Sequence, residues 1–155
     1  MSMPLRNAAE YLERSAARVP DKVAFSDASG EITYRSMLRD AQALGTRLAA
    51  LDGCRNAPVA VMIGRTAKSV TAMQGVLQSG NYYVPIDEQM PEVRMRSILS
   101  QVHARAIVCT EANRAQAEKL ADCAPVVGLE ESAELTPDTA LLRERREALL
   151  DIDPV

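Results

Sequence analysis

The chain has 155 residues, of which 47% are hydrophobic and 25% charged, and a net charge of −3; this composition is typical of one soluble globular domain. The negative charge, together with four tyrosines, one phenylalanine and no tryptophan, argues against nucleic-acid binding by electrostatics or base stacking. No apolar run approaches the roughly 20 residues of a membrane span, and the first residues lack the apolar core of a signal peptide. We therefore expect a cytoplasmic protein with no nucleic-acid or membrane partner.

The first predicted elements are a helix and a hairpin. Apolar residues at helical spacing predict a helix over residues 5–18. The segments Val23–Ser26 and Glu31–Thr33 flank a turn-rich tetrapeptide and predict a small N-terminal hairpin. Thr33 is expected to cap the next helix, although Ser36 stands where a glutamate would complete a capping box.

The next helix has the clearest pattern in the chain. It is predicted over residues 34–51, and the glycine of Asp52-Gly53 should end it. Its apolar positions advance by four, three, four and three residues, which predicts one continuous buried stripe. The stripe contains Met37, Ala41, Leu44, Leu48 and Leu51.

A crossover unit follows. The unbroken apolar run Pro58–Ile63 is typical of a strand buried on both faces. Thr66 is a suitable cap for a helix over residues 67–79, and Gly80 suits a left-handed residue at its end. A short strand, Tyr82–Val84, then completes a strand–helix–strand unit and is closed by Pro85.

Further along, the side chains of Tyr82 and Tyr83 are expected to pack on opposite faces of their strand. Asp87 should cap the following loop by accepting backbone N–H bonds. Pro91 suits the first position of the next helix.

Two more short apolar strands, residues 106–109 and 125–129, bring the predicted parallel strands to four. Thr110 is expected to cap a helix that continues to Ala121. The fold class predicted is α/β: an open, doubly wound, mainly parallel sheet with helices on both faces, plus the N-terminal hairpin. We expect a single domain, with residues 5–135 as its core and 136–155 as a helix and tail.

The last segment contains a charge run. Thr136-Pro137-Asp138 is a helix-start signal. The run Arg143–Glu147 is predicted to form a solvated helix face rather than a binding patch.

Two motifs resemble those of amino-acid adenylation domains, which belong to the adenylate-forming superfamily together with acyl-CoA synthetases and luciferases. Val76–Asp87 resembles their second core motif, Leu-Lys-Ala-Gly-x-Ala-Tyr-x-Pro-Ile-Asp. Ile32–Leu38 resembles their first, Leu-Thr-Tyr-x-Glu-Leu, and Arg18–Phe25 resembles the segment that precedes it. Order and spacing agree over residues 5–110.

The resemblance implies that the chain is the N-terminal portion of a ligase and ends before the phosphate-binding loop. The complete enzyme would use ATP and Mg to form an aminoacyl-adenylate, and would load the phosphopantetheine arm of a carrier protein. A stand-alone D-alanine–carrier ligase and a nonribosomal peptide synthetase module both fit. The remainder of the ligase, in the same or a separate chain, is then the main partner.

By the same resemblance, the residues that handle nucleotide and substrate lie downstream. No catalytic, cofactor-binding or metal-binding residue is therefore assigned in this chain, and the isolated chain is predicted to be inactive. Two alternatives stay open: half of a split ligase that needs a partner chain, and a non-catalytic flavodoxin-like interaction module.

Other candidate sites are weak. Gly75 and Gly80 have the span of a phosphate loop, but Asn81-Tyr82 stand where lysine and a hydroxyl residue are required. The single histidine, His103, is expected to be structural or on the surface. Arg65 follows a parallel strand at the edge where such sheets bind ligands, and it is the first residue that we would mutate.

The three cysteines, Cys54, Cys109 and Cys123, are widely spaced and form no C-x-x-C pair. We expect them to be small buried hydrophobic residues in a reducing compartment.

Overall fold

The computed structural model describes residues 5–53 and 55–150. Helices and strands alternate through most of this part of the chain, as the sequence pattern predicts. The elements are α1 (Ala9–Arg18), β1 (Val23–Asp27), β2 (Gly30–Thr33), α2 (Tyr34–Asp52), β3 (Pro58–Ile63), α3 (Ala67–Gln78), β4 (Tyr82–Asp87), α4 (Glu92–Val102), β5 (Ile107–Cys109), a 3-10 turn (Glu111–Asn113), α5 (Arg114–Glu118), β6 (Val126–Gly128), α6 (Leu129–Ser132) and α7 (Thr139–Glu147).

The central sheet has the strand order β4-β3-β5-β6, and each neighbouring pair is parallel. The first of these strands in the chain, β3, is therefore interior; the chain adds β4 on one side, then returns to add β5 and β6 on the other. The direction of winding reverses between β3 and β5, so the predicted doubly wound parallel sheet is confirmed.

Strand β3 is buried on both faces, as its apolar run predicts. Val59 and Val61 face a core cluster with α2 and α3, whereas Ala60 and Met62 face a second cluster with α4 and α5. This alternation follows from the two-residue period of a strand. The first cluster also contains Leu44, Leu48, Ala72, Val76 and Val108, and the second contains Ile86, Met95, Leu99, Ile107 and Ala117.

The buried stripe of α2 and the glycines that follow α2 and α3 largely agree with the sequence prediction. Four of the five residues predicted for the α2 stripe are buried, but Leu51, the last, is 41% exposed. It lies in the final turn, next to Gly53, whose φ of 69° ends the helix as predicted. Gly80 likewise has a φ of 81° after α3, which confirms the left-handed position there.

The N-terminal hairpin is confirmed, with β1 and β2 antiparallel and Asp27 opposite Gly30. Thr33 caps α2 by accepting a hydrogen bond from the Ser36 amide at 3.2 Å. Helix α1 begins at Ala9 and not at residue 5, because the Asn7 side chain accepts the Ala9 amide at 2.9 Å and holds the preceding chain in a turn.

Two predicted helix boundaries are wrong. The sequence predicts Pro91 as the first residue of α4, but it lies just before the helix with an extended ψ of 140°, and α4 begins at Glu92. The helix after Thr110 starts as a 3-10 turn, and α5 ends at Glu118 instead of reaching residue 121. The Lys119 carbonyl that follows accepts from the Arg96 guanidinium at 2.6 Å, and the chain turns there toward β6.

The charge run of α7 is only partly solvated. Its start at Asp138 is confirmed, because that side chain accepts the Leu141 amide at 3.0 Å. Arg145 and Arg146, however, are 7% and 8% exposed, so the prediction of a solvated face is wrong for them. Both guanidinium groups point into the protein, where carbonyl groups at the end of α3 accept their hydrogen bonds.

The tail predicted at residues 151–155 lies outside the described residues, and the division at residue 135 stays a prediction. Within residues 5–53 and 55–150, no helix combines the length and apolarity that crossing a bilayer requires.

Candidate functional site

The carboxyl ends of β3 and β5 form the position where open parallel sheets of this winding bind ligands. Gly64-Arg65-Thr66 leaves β3 at this edge, and Thr110 leaves β5. Because β4 runs parallel to β3, with Asp87 paired to Ile63, Glu88 arrives at the same edge. Three segments that are distant in sequence thus meet here, and we call this region the carboxyl edge.

Asn113 joins these three segments. Its Nδ2 donates to the Met62 carbonyl at 3.2 Å and to Glu88 Oε2 at 3.0 Å. Its Oδ1 accepts the Thr110 amide at 2.9 Å, and the residue is 3% exposed. Sequence reasoning missed this residue, although Thr110-x-x-Asn113 has the spacing of a capping box, which the structure contains.

Gly64 is packed directly against the Glu88 carboxylate. A Cβ atom placed on Gly64 would lie 2.8 Å from both Glu88 oxygens. The Gly64 amide donates to Ser69 Oγ at 3.0 Å. This backbone amide is therefore already used within the protein, and a larger residue could enter only if Glu88 moved.

The N-terminus of α3 carries a carboxylate from the hairpin. Asp27 Oδ2 accepts the Ala67 amide at 2.7 Å, and Asp27 Oδ1 accepts from the Ser29 hydroxyl at 2.6 Å. The hydrogen bond from Ser29, followed by that from Ala67, lowers the pKa of Asp27 from 3.8 to about 2. A helix N-terminus attracts anions, and here a side chain of the chain itself takes that position.

The remaining charges at the edge are mostly acidic. Lys68 pairs with Glu130 at 2.8 Å, and this hydrogen bond raises the pKa of Lys68. The other Glu130 oxygen accepts the Glu111 amide at 3.1 Å. Within the described ranges, no group of three metal-ligating side chains is found. The Gly64 and Ala67 amides are already hydrogen-bonded within the protein, and the carboxylates of Asp27 and Glu88 would repel the triphosphate of ATP.

Arg65 is exposed, and none of the described residues forms a hydrogen bond or ion pair with it. Asp87 accepts the Gln89 amide at 2.8 Å, which confirms its predicted role as a loop cap. Tyr82 and Tyr83 are adjacent residues of β4, as predicted, and are 47% and 37% exposed, so both side chains are in large part open to solvent. Their strand, β4, is an edge of the sheet and lacks a neighbour on one side among the described strands.

His103 is exposed at the end of α4 with a φ of 53°, in agreement with a surface role. Cys109 is buried as predicted, and burial raises the pKa of its thiol to about 11. Cys123 is exposed, with its Sγ 3.4 Å from the Arg96 guanidinium, so the expectation of burial is wrong there. Cys54 lies outside the described residues.

The family with the description AMP-binding enzyme matches residues 12–151, most of the chain. The chain belongs to this family. The family predicted from the two core motifs is thereby confirmed.

Curated relatives of this AMP-binding chain are much longer than it is. Pyochelin synthetase PchF of Pseudomonas aeruginosa is 39% identical over 106 residues, which are 68% of this chain and 6% of PchF. AMB antimetabolite synthetase AmbB of the same organism is 29% identical over 139 residues, covering 89% of this chain and 11% of AmbB. The chain thus spans only a small part of the relatives that it matches.

Solved structures share the fold. The nonribosomal peptide synthetase FmoA3 superposes with a TM-score of 0.79 at 23% identity, over 88% of this chain and 15% of FmoA3. The N-terminal subdomain of Klebsiella oxytoca NpsA gives a TM-score of 0.67 at 21% identity, over 86% of this chain and 33% of that one. The parallel sheet, its flanking helices and the hairpin therefore form the fold of these solved structures, one of which is an N-terminal subdomain.

Proposed function

We propose that this AMP-binding chain is the N-terminal scaffold of an amino-acid-adenylating ligase within a nonribosomal peptide synthetase. The complete enzyme would use ATP and Mg to form an aminoacyl-adenylate, release pyrophosphate and pass the aminoacyl group to the phosphopantetheine thiol of a carrier protein. The two core motifs and the family match support adenylation. The names of the relatives, which include synthetases, favour a synthetase module over a stand-alone D-alanine–carrier ligase.

One observation supports a structural role for this part of the polypeptide: the chain's own carboxylates occupy two positions at the carboxyl edge. Asp27 takes the N-terminus of α3, and the Glu88 carboxylate, held by Asn113, lies against Gly64. A phosphate at either place would have to displace a carboxylate that is already hydrogen-bonded. We infer that these residues support the sheet and that another part of the polypeptide handles the nucleotide.

Amino-acid-dependent ATP–pyrophosphate exchange tests this proposal. The purified 155-residue chain should show no exchange above a protein-free blank with any of the standard amino acids. A longer polypeptide from the same gene, extended through the segment expected to bind phosphate, should show exchange with one or a few of them. Circular dichroism of the short chain, with the far-ultraviolet signal of an α/β protein, confirms that inactivity does not reflect unfolding. Exchange by the folded short chain would refute the proposal.

The exposed side of β4 favours a second possibility, that the chain is one half of a split ligase. A sheet edge with unpaired backbone groups can accept a strand from another polypeptide. If so, the separately expressed downstream half should restore exchange when it is mixed with this chain. If the mixture of the two halves shows no exchange, and neither half changes its elution volume in size-exclusion chromatography, the split-ligase possibility is contradicted.

A further inference from the structure

Arg65 lies between two adjoining grooves at the carboxyl edge. The first, of about 450 Å³, lies between the ends of β3 and β4 and includes Asp87 and Glu88 in its lining. The second, of about 300 Å³, lies between the hairpin and the start of α3. Both are lined by Ile63, Gly64 and Arg65, so a ligand in either groove meets the same guanidinium.

Neighbouring carboxylates do not satisfy this guanidinium. Asp27 accepts from Ala67, Asp87 accepts from the Gln89 amide, and Glu88 accepts from Asn113. Among the described residues, none of these carboxylates forms an ion pair with Arg65, which is exposed. An arginine side chain offers five N–H donors in a planar fork that matches a carboxylate or phosphate. Its donors are therefore available to an external anion.

The second groove adds an apolar wall. Phe25, the single phenylalanine of the chain, is 43% exposed there, beside Val70 and Met73. Small-molecule sites combine such apolar surface with a few polar groups that fix orientation. An apolar wall next to one unpaired cation suits a ligand with an apolar body and a single acidic group.

The local charge distinguishes a carboxylate from a phosphate. Asp27, Asp87 and Glu88 surround the grooves and repel any anion, and a doubly charged phosphate would be repelled more strongly than a singly charged carboxylate. We propose that the grooves around Arg65 bind a small organic carboxylate, with its acid on Arg65 and its apolar body against Phe25. The inference does not rest on the proposed function.

Titration followed by backbone-amide NMR tests the site, with 3-phenylpropionate as the probe and 3-phenylpropionamide as the uncharged match. The carboxylate should give saturable shifts at Gly64, Arg65 and Thr66, and the amide should give none. Arg65→Gln should weaken binding by about two- to fivefold, the range expected for loss of one exposed charge-assisted contact. Arg55→Gln, which removes an exposed arginine before the opposite end of β3, should leave the affinity unchanged.

Each other outcome overturns the inference. Shifts that do not saturate, or that are equal in Arg65→Gln, would show that no site is built around this guanidinium. Equal binding of the amide would remove the role of charge. Tighter binding of inorganic phosphate at the same amides would overturn the carboxylate assignment. Spectra of both variants that overlay on the unsubstituted protein away from the grooves establish that each is folded.

Discussion

Arg146 donates from its guanidinium to the side-chain oxygen of Gln78 across 2.7 Å, with both residues buried. The same guanidinium pairs with Glu13 of α1, and the adjacent Arg145 donates to the Ser79 carbonyl at 2.8 Å. Helix C-termini favour cations because their last carbonyls lack partners within the helix. Helix α7 thereby joins α1 to the end of α3, across a large separation in sequence.

Arg146→Ala should therefore lower the free energy of unfolding by about 2–3 kcal/mol, because it leaves buried acceptors and Glu13 without their donor. Urea denaturation followed by circular dichroism measures the change. Arg143→Ala is the matched control: Arg143 is exposed on the same helix and should change stability by less than about 0.5 kcal/mol. Equal losses in the two variants would show that the buried contacts contribute nothing specific.

The close approach of α2 and α3 depends on Gly75. A Cβ atom at this position would lie 2.5 Å from Leu44 Cδ2 and 2.9 Å from Leu44 Cβ, closer than such atoms approach in proteins. Gly75→Ala should gain about 1 kcal/mol of helix propensity but lose about 1–3 kcal/mol to overpacking, so the net loss in the free energy of unfolding should be at most about 2 kcal/mol. Denaturant unfolding of the purified variant measures the balance.

The double variant Leu44→Ala with Gly75→Ala separates these effects. Leu44 is fully buried, so Leu44→Ala alone should cost about 2–5 kcal/mol. In that background Gly75→Ala should cost less than it does in the unsubstituted protein, because the contact with Leu44 Cδ2 at 2.5 Å is gone and the added methyl group fills part of the cavity, while the contact with the Cβ of residue 44 at 2.9 Å remains. If the loss of stability in the double variant equals the sum of the losses in the two single variants, the proposed contact between Leu44 and Gly75 is contradicted.

Sequence reasoning predicted this fold well where the signal was local. The two-sided burial of Pro58–Ile63, the Thr33 and Thr66 caps and the left-handed Gly80 each follow from a few consecutive residues. Each of these local features predicts one piece of structure: an apolar run predicts a buried strand, a hydroxyl residue predicts the start of a helix, and a glycine predicts its end. Where several such signals agree, the order of helices and strands follows.

Contacts between distant segments could not be predicted in this way. Arg145 and Arg146 resemble other surface charges in the sequence, and their burial depends on carbonyl groups 66 and 68 residues earlier. The exposure of Tyr82 and Tyr83 depends on the position of β4 at the sheet edge, which its own residues do not encode. The candidate site was therefore only partly predicted: Arg65 was identified from its place after a strand, whereas Asn113 was missed.

Of the residues at the carboxyl edge, Asn113 should be the one whose substitution lowers the stability of the protein most. Asn113→Ala removes two donors and one acceptor that join three segments, and should cost about 2–3 kcal/mol. Asn113→Asp keeps the acceptor but places a carboxyl group about 3.0 Å from Glu88 Oε2. Two carboxylates at that distance cannot both ionise without a cost.

The stability of Asn113→Asp relative to the unsubstituted protein should thus be greatest at low pH, where the new carboxyl is protonated and can donate to Glu88. The deficit should grow as pH rises, because the folded protein then retains a proton that the unfolded chain has lost. Urea titrations between pH 3 and pH 7 would measure it. A constant deficit over that range would show that the new carboxyl does not face Glu88, whereas Asn113→Ala supplies the pH-independent comparison.

The contribution of Asp27 to stability should depend on pH in the opposite direction, increasing as pH rises. The Ser29 hydroxyl, followed by the Ala67 amide, lowers its pKa to about 2, below the ordinary 3.8 of an unfolded chain. Its contribution to stability is therefore complete above the unfolded value and is lost as pH falls toward 2. Carboxyl-carbon NMR should give a midpoint near 2 for Asp27.

Ser29→Ala should raise that midpoint, since the Ser29 hydroxyl is the largest cause of the shift. It should also destabilise the protein at neutral pH, and this effect should shrink as pH falls through 2, because Asp27 becomes protonated in the folded as well as the unfolded state. Ser26→Ala, at an exposed serine of the same hairpin, should do neither. A midpoint near 3.8 in the unsubstituted protein would mean that the N-terminus of α3 is open, and the inference that a nucleotide binds elsewhere would lose its main support.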